Sequence, residues 1–322
     1  MKPELVRTKL PAPSGVPGVY VGLDELIALQ YTARGFSFLP RQPLSSLLSG
    51  RHASRMRGRG LDFDEIRKYL PGDDIRSIDW NVTARTGEAH TRVFTEERDR
   101  PAYLLVDQRV SMFWGTRRAL KSVVAAEIAA LAAWRVIGQG DRVGGLVFDD
   151  TDVAEVRPQR SQTAVLQLLR TIVTKNHALR AGSGVTSRPA MLNRILHHAV
   201  RLAHHDCMVV VISDFDGADE ETEKLLRRLE QSNDAVCALV LDPSALEIPD
   251  DARMVVSDGS LQVEIEGRAT KRLAAFAKGR IDRILEWPRT AGVPVLPVDT
   301  EEPVPAQLRR LLGFAPARGG QA

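Results

Sequence analysis

The sequence predicts an α/β fold: a doubly wound, mostly parallel six-stranded sheet with helices on both faces, an N-terminal β-rich block and an inserted hairpin. Three observations point there. From residue 101 onward, short runs rich in Val, Ile and Leu are apolar throughout, as strands covered on both faces require. Segments of helical period separate them. Two of the runs end in an aspartate, Asp107 and Asp214, at the strand end where open sheets of this kind bind ligands.

Residues 1–50 read as an irregular segment holding a short helix from Leu23. Within and after it, Arg41, Arg51, Arg55, Arg57 and Arg59 stand with no acid among them, and Gly50, Gly58 and Gly60 keep the stretch loose. Residues 51–100 form a block too short for its own core and are expected to pack on the domain C-terminal to them. In this block Pro71-Gly72-Asp73 signals a turn, and residues 89–95 read as a strand.

Residues 101–313 form the main domain. Strand 102–107 leads to helix 117–137, whose stripe is Leu120, Val124, Ile128, Leu131 and Trp134; Gly138 and Gly140 stop it. Strand 142–148 and a short edge strand at 153–156 follow. Ser161 can cap helix 162–174, and Pro189 can sit in the first turn of helix 188–204. Strand 207–212, helix 219–231 and strand 235–241 come next. Alternation around Asp258-Gly259 predicts a hairpin at 253–266, before helix 269–289, strand 293–298 and helix 305–313. Residues 314–322 read as a disordered tail.

Composition narrows the function. The 322 residues are 43% hydrophobic and 26% charged, with a net charge of +3, which argues against a chain-wide nucleic-acid binder. The arginine run at 51–59 lacks interleaved aromatics, so nucleic acid is not expected as a partner. Cys207 and Cys237 lie in or beside apolar runs and read as buried, reduced thiols. The start MKPELVRTKL has no signal-peptide core, and helix 117–137 carries Lys121, Glu127 and Arg135, so a cytoplasmic protein without a membrane span is expected.

Two carboxylates at one sheet edge repel unless a cation or proton offsets them. One reading is a magnesium site, with Asp107 and Asp214 joined by the hydroxyls of Ser111 and of Thr186 in the loop GSGVTSRP. The plain reading is that both aspartates cap the turns after them. Arg109 opens two more: its guanidinium takes the cation's place, or it points outward to a partner. Met112, Phe113 and Trp114 on the same loop, with Asp216 on the next, form a candidate partner-binding rim. The plain reading of the apolar three is burial under the sheet edge.

Other chemistries lack their motifs. His197 and His204 share a helix face but stand about 10 Å apart, too far for one zinc. There is no GxxxxGK[ST] loop and no nucleophile elbow. Gly138, Gly140 and Gly144 come after a helix and before a strand, the wrong order for a dinucleotide loop.

The runs GRGLDFDEIR at 58–67, YLPGDDIRSIDW at 69–80 and TAR at 83–85 resemble the signature of the bacterial and archaeal domain-of-unknown-function family 58; GDRVGGLVF at 140–148 and VVVISDF at 209–215 fit too. The resemblance implies a von Willebrand factor A-like core behind the signature block. Such proteins are often encoded beside MoxR-type AAA+ ATPases and are thought to work with them in assembling or maturing other proteins. The resemblance also implies a metal-ion-dependent adhesion site, Asp-x-Ser-x-Ser with a later Thr and Asp. Asp107 and Ser111 match its first and third positions, Asp214 its final acid and Thr186 its threonine, while Arg109 replaces the middle serine. The site is therefore degenerate and holds Mg2+ or no ion.

Arg67, Asp74, Arg76, Asp79 and Arg85 around Trp80 are expected to form a paired network docking the front block on the sheet. The expected function is a non-enzymatic adaptor docking through residues 107–115, 183–188 and 214–217. The alternative is a magnesium-dependent hydrolase or phosphotransferase using Asp107 and Asp214. A haloacid-type enzyme would want a second acid where Arg109 stands.

Overall fold

The computed structural model describes residues 17–33, 61–70, 73–96, 100–180, 185–245, 254–257, 262–265 and 268–313. The arginine run at 51–59, the Pro71-Gly72 and Asp258-Gly259 turns and the tail lie outside the described residues. The chain divides into two compact units, Ser46–Asp99 and a larger one formed by Met1–Ser45 with Arg100–Ala322.

The first helices, α1 (Leu23–Ala28) and α2 (Gln30–Ala33), belong to the core of the larger unit. Leu26 is fully buried, and its carbonyl accepts from the indole N–H of Trp134 at 3.0 Å. The Val21 N–H donates to Asn176 Oδ1 at 3.0 Å, and the Tyr20 hydroxyl donates to the Leu179 carbonyl at 2.9 Å.

In the smaller unit, β1 (Leu61–Lys68) pairs antiparallel with β2 (His90–Glu96), with a register shift between Phe63 and Glu65. A 3-10 turn, Ile75–Ser77, and helix α3 (Trp80–Thr86) fill the connection. Arg67 grips Asp73 through two bonds of 2.9 and 2.8 Å. Asp74 caps the 3-10 turn, and Asp79 caps α3 by accepting from the Asn81 and Val82 N–H groups. Gly87, at φ 75°, ends the helix in the left-handed conformation. Trp80 is 67% exposed, so the charges expected around it do not enclose it.

The larger unit holds β3 (Pro101–Asp107), α4 (Lys121–Gly138), β4 (Arg142–Phe148), β5 (Val153–Gln159), α5 (Gln162–Ala178), α6 (Met191–Leu202) and β6 (Met208–Ser213). It continues through α7 (Glu220–Glu230), β7 (Asp234–Leu241), the β8 (Met254–Ser257) and β9 (Gln262–Ile265) pair, α8 (Arg268–Leu285), α9 (Trp287–Thr290), β10 (Val295–Asp299) and α10 (Val304–Leu311). The main sheet has six strands in the order β10-β7-β6-β3-β4-β5, and only β5 runs antiparallel to its neighbour. Strand alternation explains the two cores. Ala102, Leu104 and Val106 face α4, α5 and α10; Leu105, with Val209 and Val211, faces α6, α7 and α8. Helix α4 is buried on nearly every side, consistent with its run of alanine, valine and leucine.

Two expected helices are interrupted. Helix 117–137 starts only at Lys121, because the Leu120 N–H is taken by the Gly18 carbonyl and the Lys121 N–H by the Trp114 carbonyl, each at 2.7 Å. Helix 269–289 breaks at Glu286, where Pro288 has no N–H to offer the preceding turn.

Glu230 closes α7, and its carboxylate accepts from the Ala235 N–H at 2.8 Å. Burial pushes this carboxyl up to about 7; the Ala235 N–H opposes the rise and the Asp234 charge adds to it. An unfolded glutamate titrates near 4.3, so from about pH 4 to 7 the unfolded chain has released a proton that the folded one keeps. Stability from this group is full below that window and is lost as pH rises through it. Glu230→Gln, which keeps an acceptor for Ala235, should leave Tm unchanged at about pH 4 and raise it at about pH 8. Scanning calorimetry of both proteins at the two pH values checks this; equal Tm at the higher pH counts against it.

Candidate functional site

The chain enters the main sheet at β3, runs outward through β4 and β5, then returns to β6 on the other side of β3. Strand order therefore reverses between β3 and β6, the position at which open α/β sheets bind ligands beyond the carboxyl ends of their strands. Val106 registers with Ile212, so Asp107 and Ser213-Asp214 emerge side by side.

Arg109 fills the space between them. Its Nε donates to both carboxylate oxygens of Asp107 at 3.1 Å, and its Nη2 donates to Oδ2 at 2.7 Å. Nη1 donates to the Pro189 carbonyl at 3.3 Å and the Asp216 carbonyl at 3.1 Å, while Nη2 lies 3.8 Å from Asp214 Oδ1. The guanidinium also sits 5.7 Å from the centre of the Phe148 ring. Arg109 is 1% exposed.

The acids are engaged from other sides as well. The Ser213 hydroxyl donates to Asp107 Oδ2 at 2.6 Å and accepts from the Phe215 N–H. Lys121 Nζ donates to Asp214 Oδ2 at 2.6 Å. Asp214 Oδ1 accepts from the Ser111 hydroxyl at 3.4 Å and from the Asp216 N–H at 3.0 Å. Arg280 pairs with Asp216 at 2.7 Å. Asp107, Asp214 and Asp216 are thus offset by Arg109, Lys121 and Arg280. Burial works against the charge of Asp214, but Lys121, then Arg109 and Arg280, outweigh it and hold the carboxyl well below the usual range. Burial likewise opposes the charge of Arg109, and Asp107 more than restores it.

Backbone features lock the surrounding loops. One Asp150 oxygen accepts from the Val110 N–H at 2.6 Å and the other from the Arg188 N–H at 2.7 Å, so a single buried carboxylate ties two loops. Gly217 sits at φ 82°, and a Cβ there would lie 2.4 Å from Pro189 Cβ, so only glycine fits. Phe215 takes the left-handed conformation at φ 53° and is held by edge-on packing against Trp287 at 5.0 Å.

Asp107, Arg109, Ser111 and Asp214 meet at one point. Thr186 does not join them: it is exposed and, among the described residues, forms no hydrogen bond with either aspartate. Arg109 and Met112, expected on the partner-facing rim, are turned into the protein, the first by its inward acceptors and the second by packing in the core. Phe113 lies against Tyr20 at 5.9 Å, and Asp216 is occupied by Arg280. Trp114 is 40% exposed on a loop fixed by its own carbonyl and by the Thr116 N–H bond to Asp242.

Sequence reasoning missed Lys121, Ser213 and Asp150 as parts of the site. Lys121 did carry a signal: it opens a helix that is otherwise almost wholly apolar and small on its buried sides. Asp150 carried no such signal: it lies in the short connection between β4 and β5.

A magnesium ion needs a near-octahedral oxygen shell at about 2.0–2.1 Å. Both Asp107 oxygens face the guanidinium and Asp214 Oδ2 faces an ammonium, so these residues do not fit such an ion. Among the described residues no group of three or more His, Cys, Asp or Glu is placed to hold a metal, and no helix is long and apolar enough to cross a membrane.

The family model described as "Protein of unknown function DUF58" matches residues 65–280. The uncharacterized protein Rv1480 of Mycobacterium tuberculosis is 30% identical over 302 residues, covering 92% of this chain and 93% of that protein. Among solved structures, the conserved hypothetical protein BatB from Bacteroides thetaiotaomicron matches at 14% identity and a TM-score of 0.40, over 65% of this chain and 93% of that one. The SpRpn10 VWA domain matches at 12% identity and a TM-score of 0.31, over 66% of this chain and 94% of that one.

Lys121→Met would leave Asp214 buried without its closest cation and should destabilise the protein by about 3 kcal/mol. Asp150→Ala would orphan two loop N–H groups and should cost about 2 kcal/mol. Urea unfolding midpoints at neutral pH check both, and a loss under about 0.5 kcal/mol, the range of ordinary surface changes, contradicts the placement of that residue.

Proposed function

The chain belongs to the DUF58 family of proteins of unknown function, and on that premise we propose that it is a non-enzymatic adaptor, built on a von Willebrand factor A-like domain, that works in the cytosol with a MoxR-type AAA+ ATPase in assembling or maturing other proteins. One observation carries the non-enzymatic part. Asp107 and Asp214, the carboxylates a hydrolase would use, are buried and bonded to Arg109, Ser213 and Lys121. A general base or nucleophile has to reach its substrate within hydrogen-bond distance. Neither carboxylate has an open face from which to do so.

The same rim suits recognition. Trp114 stands on a loop held by its own carbonyl and by the Thr116 N–H, and a fixed, partly exposed tryptophan is a common anchor in protein interfaces. Both cysteines are free and buried, in keeping with a reducing compartment. The ATPase partnership rests on the family resemblance.

Purification of the tagged full chain from its own host, followed by mass spectrometry, tests the adaptor reading. A MoxR-type ATPase should co-purify with the wild type, and Trp114→Ala should reduce its recovery at least about tenfold, as loss of an interface anchor does. Recovery of no AAA+ ATPase under conditions that keep the chain folded would remove the partnership. Turnover of a phosphate ester that depends on Asp107 would replace it with an enzyme.

A further inference from the structure

We infer that Arg109 and Lys121 are the site's own cation: together they supply the two positive charges that a divalent ion would bring, and they hold this end of the sheet in one metal-independent state. The inference concerns the site alone and stands whichever ATPase or client the protein meets.

Position is the first argument. The guanidinium lies on Asp107 and within 3.8 Å of Asp214, the two acids that end neighbouring strands, and the ammonium lies 2.6 Å from Asp214 on another side. Connectivity is the second. A bound metal gathers loops by drawing several ligands to one centre, and Arg109 does so with its N–H groups. It joins the end of β3 to the Pro189 carbonyl before α6 and to the Asp216 carbonyl after β6. Satisfaction is the third. The three guanidinium nitrogens all have acceptors, so the group has no reason to swing out and vacate the acids. A divalent ion approaching them would meet two like charges already in place.

A partner docking on this rim therefore cannot complete a metal's coordination shell with a carboxylate of its own. It meets protein side chains, and its binding is insensitive to chelators.

Thermal melting of the full chain in EDTA and in excess magnesium or manganese tests the inference. The wild type should melt at the same temperature in all three, and calorimetric titration should give no binding heat. The double variant Arg109→Ser with Lys121→Ser removes both charges and puts a hydroxyl at position 109. It should melt well below the wild type in EDTA and gain about 5 °C or more with manganese about 100-fold above Kd. Should it be unfolded in EDTA, manganese should restore its circular dichroism. Adding Asp107→Asn to that background should abolish the gain. A metal-dependent rise in the wild type overturns the inference. So does a double variant that ignores the ion, folded or unfolded, or a gain that survives Asp107→Asn.

Discussion

Asp107 and Arg109, two residues apart in the chain and almost completely removed from solvent, form the contact on which this end of the molecule is organised. Taking two such ions out of water costs several kcal/mol each, and their mutual attraction recovers that only with near-ideal geometry and every remaining donor satisfied. These conditions are largely met: all three guanidinium nitrogens have an acceptor, and the remaining approach, Nη2 to Asp214 Oδ1 at 3.8 Å, is an ion pair without a hydrogen bond. The guanidinium meets Asp107 through two nitrogens, and its third nitrogen finds two backbone carbonyls. Ser213 accounts for part of the remaining acceptor capacity of Asp107. Loss of any one member leaves another charged or polar group stranded in a medium that penalises it.

The rest of the rim follows from that demand. The carbonyls of Pro189 and Asp216 have to be delivered to Nη1, which fixes the approach of the loop before α6 to the loop after β6. Gly217 allows the two backbones to touch, and Asp150 anchors the first of these loops from the other side through the Arg188 N–H. Phe215 accepts a left-handed backbone because its ring fills a buried slot beside Trp287 and its N–H is held by Ser213. Local strain at Phe215 is thus offset by the network built around the arginine.

Much of the fold was legible because it depends on period and punctuation. The apolar runs became strands β3, β4, β6, β7 and β10, Ser161 caps α5, and Gly138 closes α4. The adjacency of Asp107 and Asp214 was also legible, since strand ends carry their position with them. The direction in which a long side chain turns was not legible. Arg109 reads equally well as an outward lure or an inward plug; besides Asp107, its inward acceptors are the Pro189 and Asp216 carbonyls, 80 and 107 residues away in sequence. Lys121 stands out in its apolar helix, but its partner was not legible for a similar reason: Asp214 is 93 residues distant. The helix break at Glu286 and the late start of α4 came from a single proline and from loop hydrogen bonds, which a hydrophobic stripe does not register.

The sheet edges bear on where a partner can bind. A common way for an open sheet to recruit another chain is to add a strand to an exposed edge, using the edge's unpaired N–H and C=O groups. The two edge strands here are β5 and β10, and each contains a proline, Pro158 and Pro297. Proline offers no N–H, so an added strand would meet a gap in its ladder on either side. With strand addition disfavoured at both edges of the main sheet, the carboxyl-end rim is the docking surface that the proposed adaptor role would use. There the charges are internally balanced, so on that proposal specificity would fall to the shape of the rim and to the exposed Trp114.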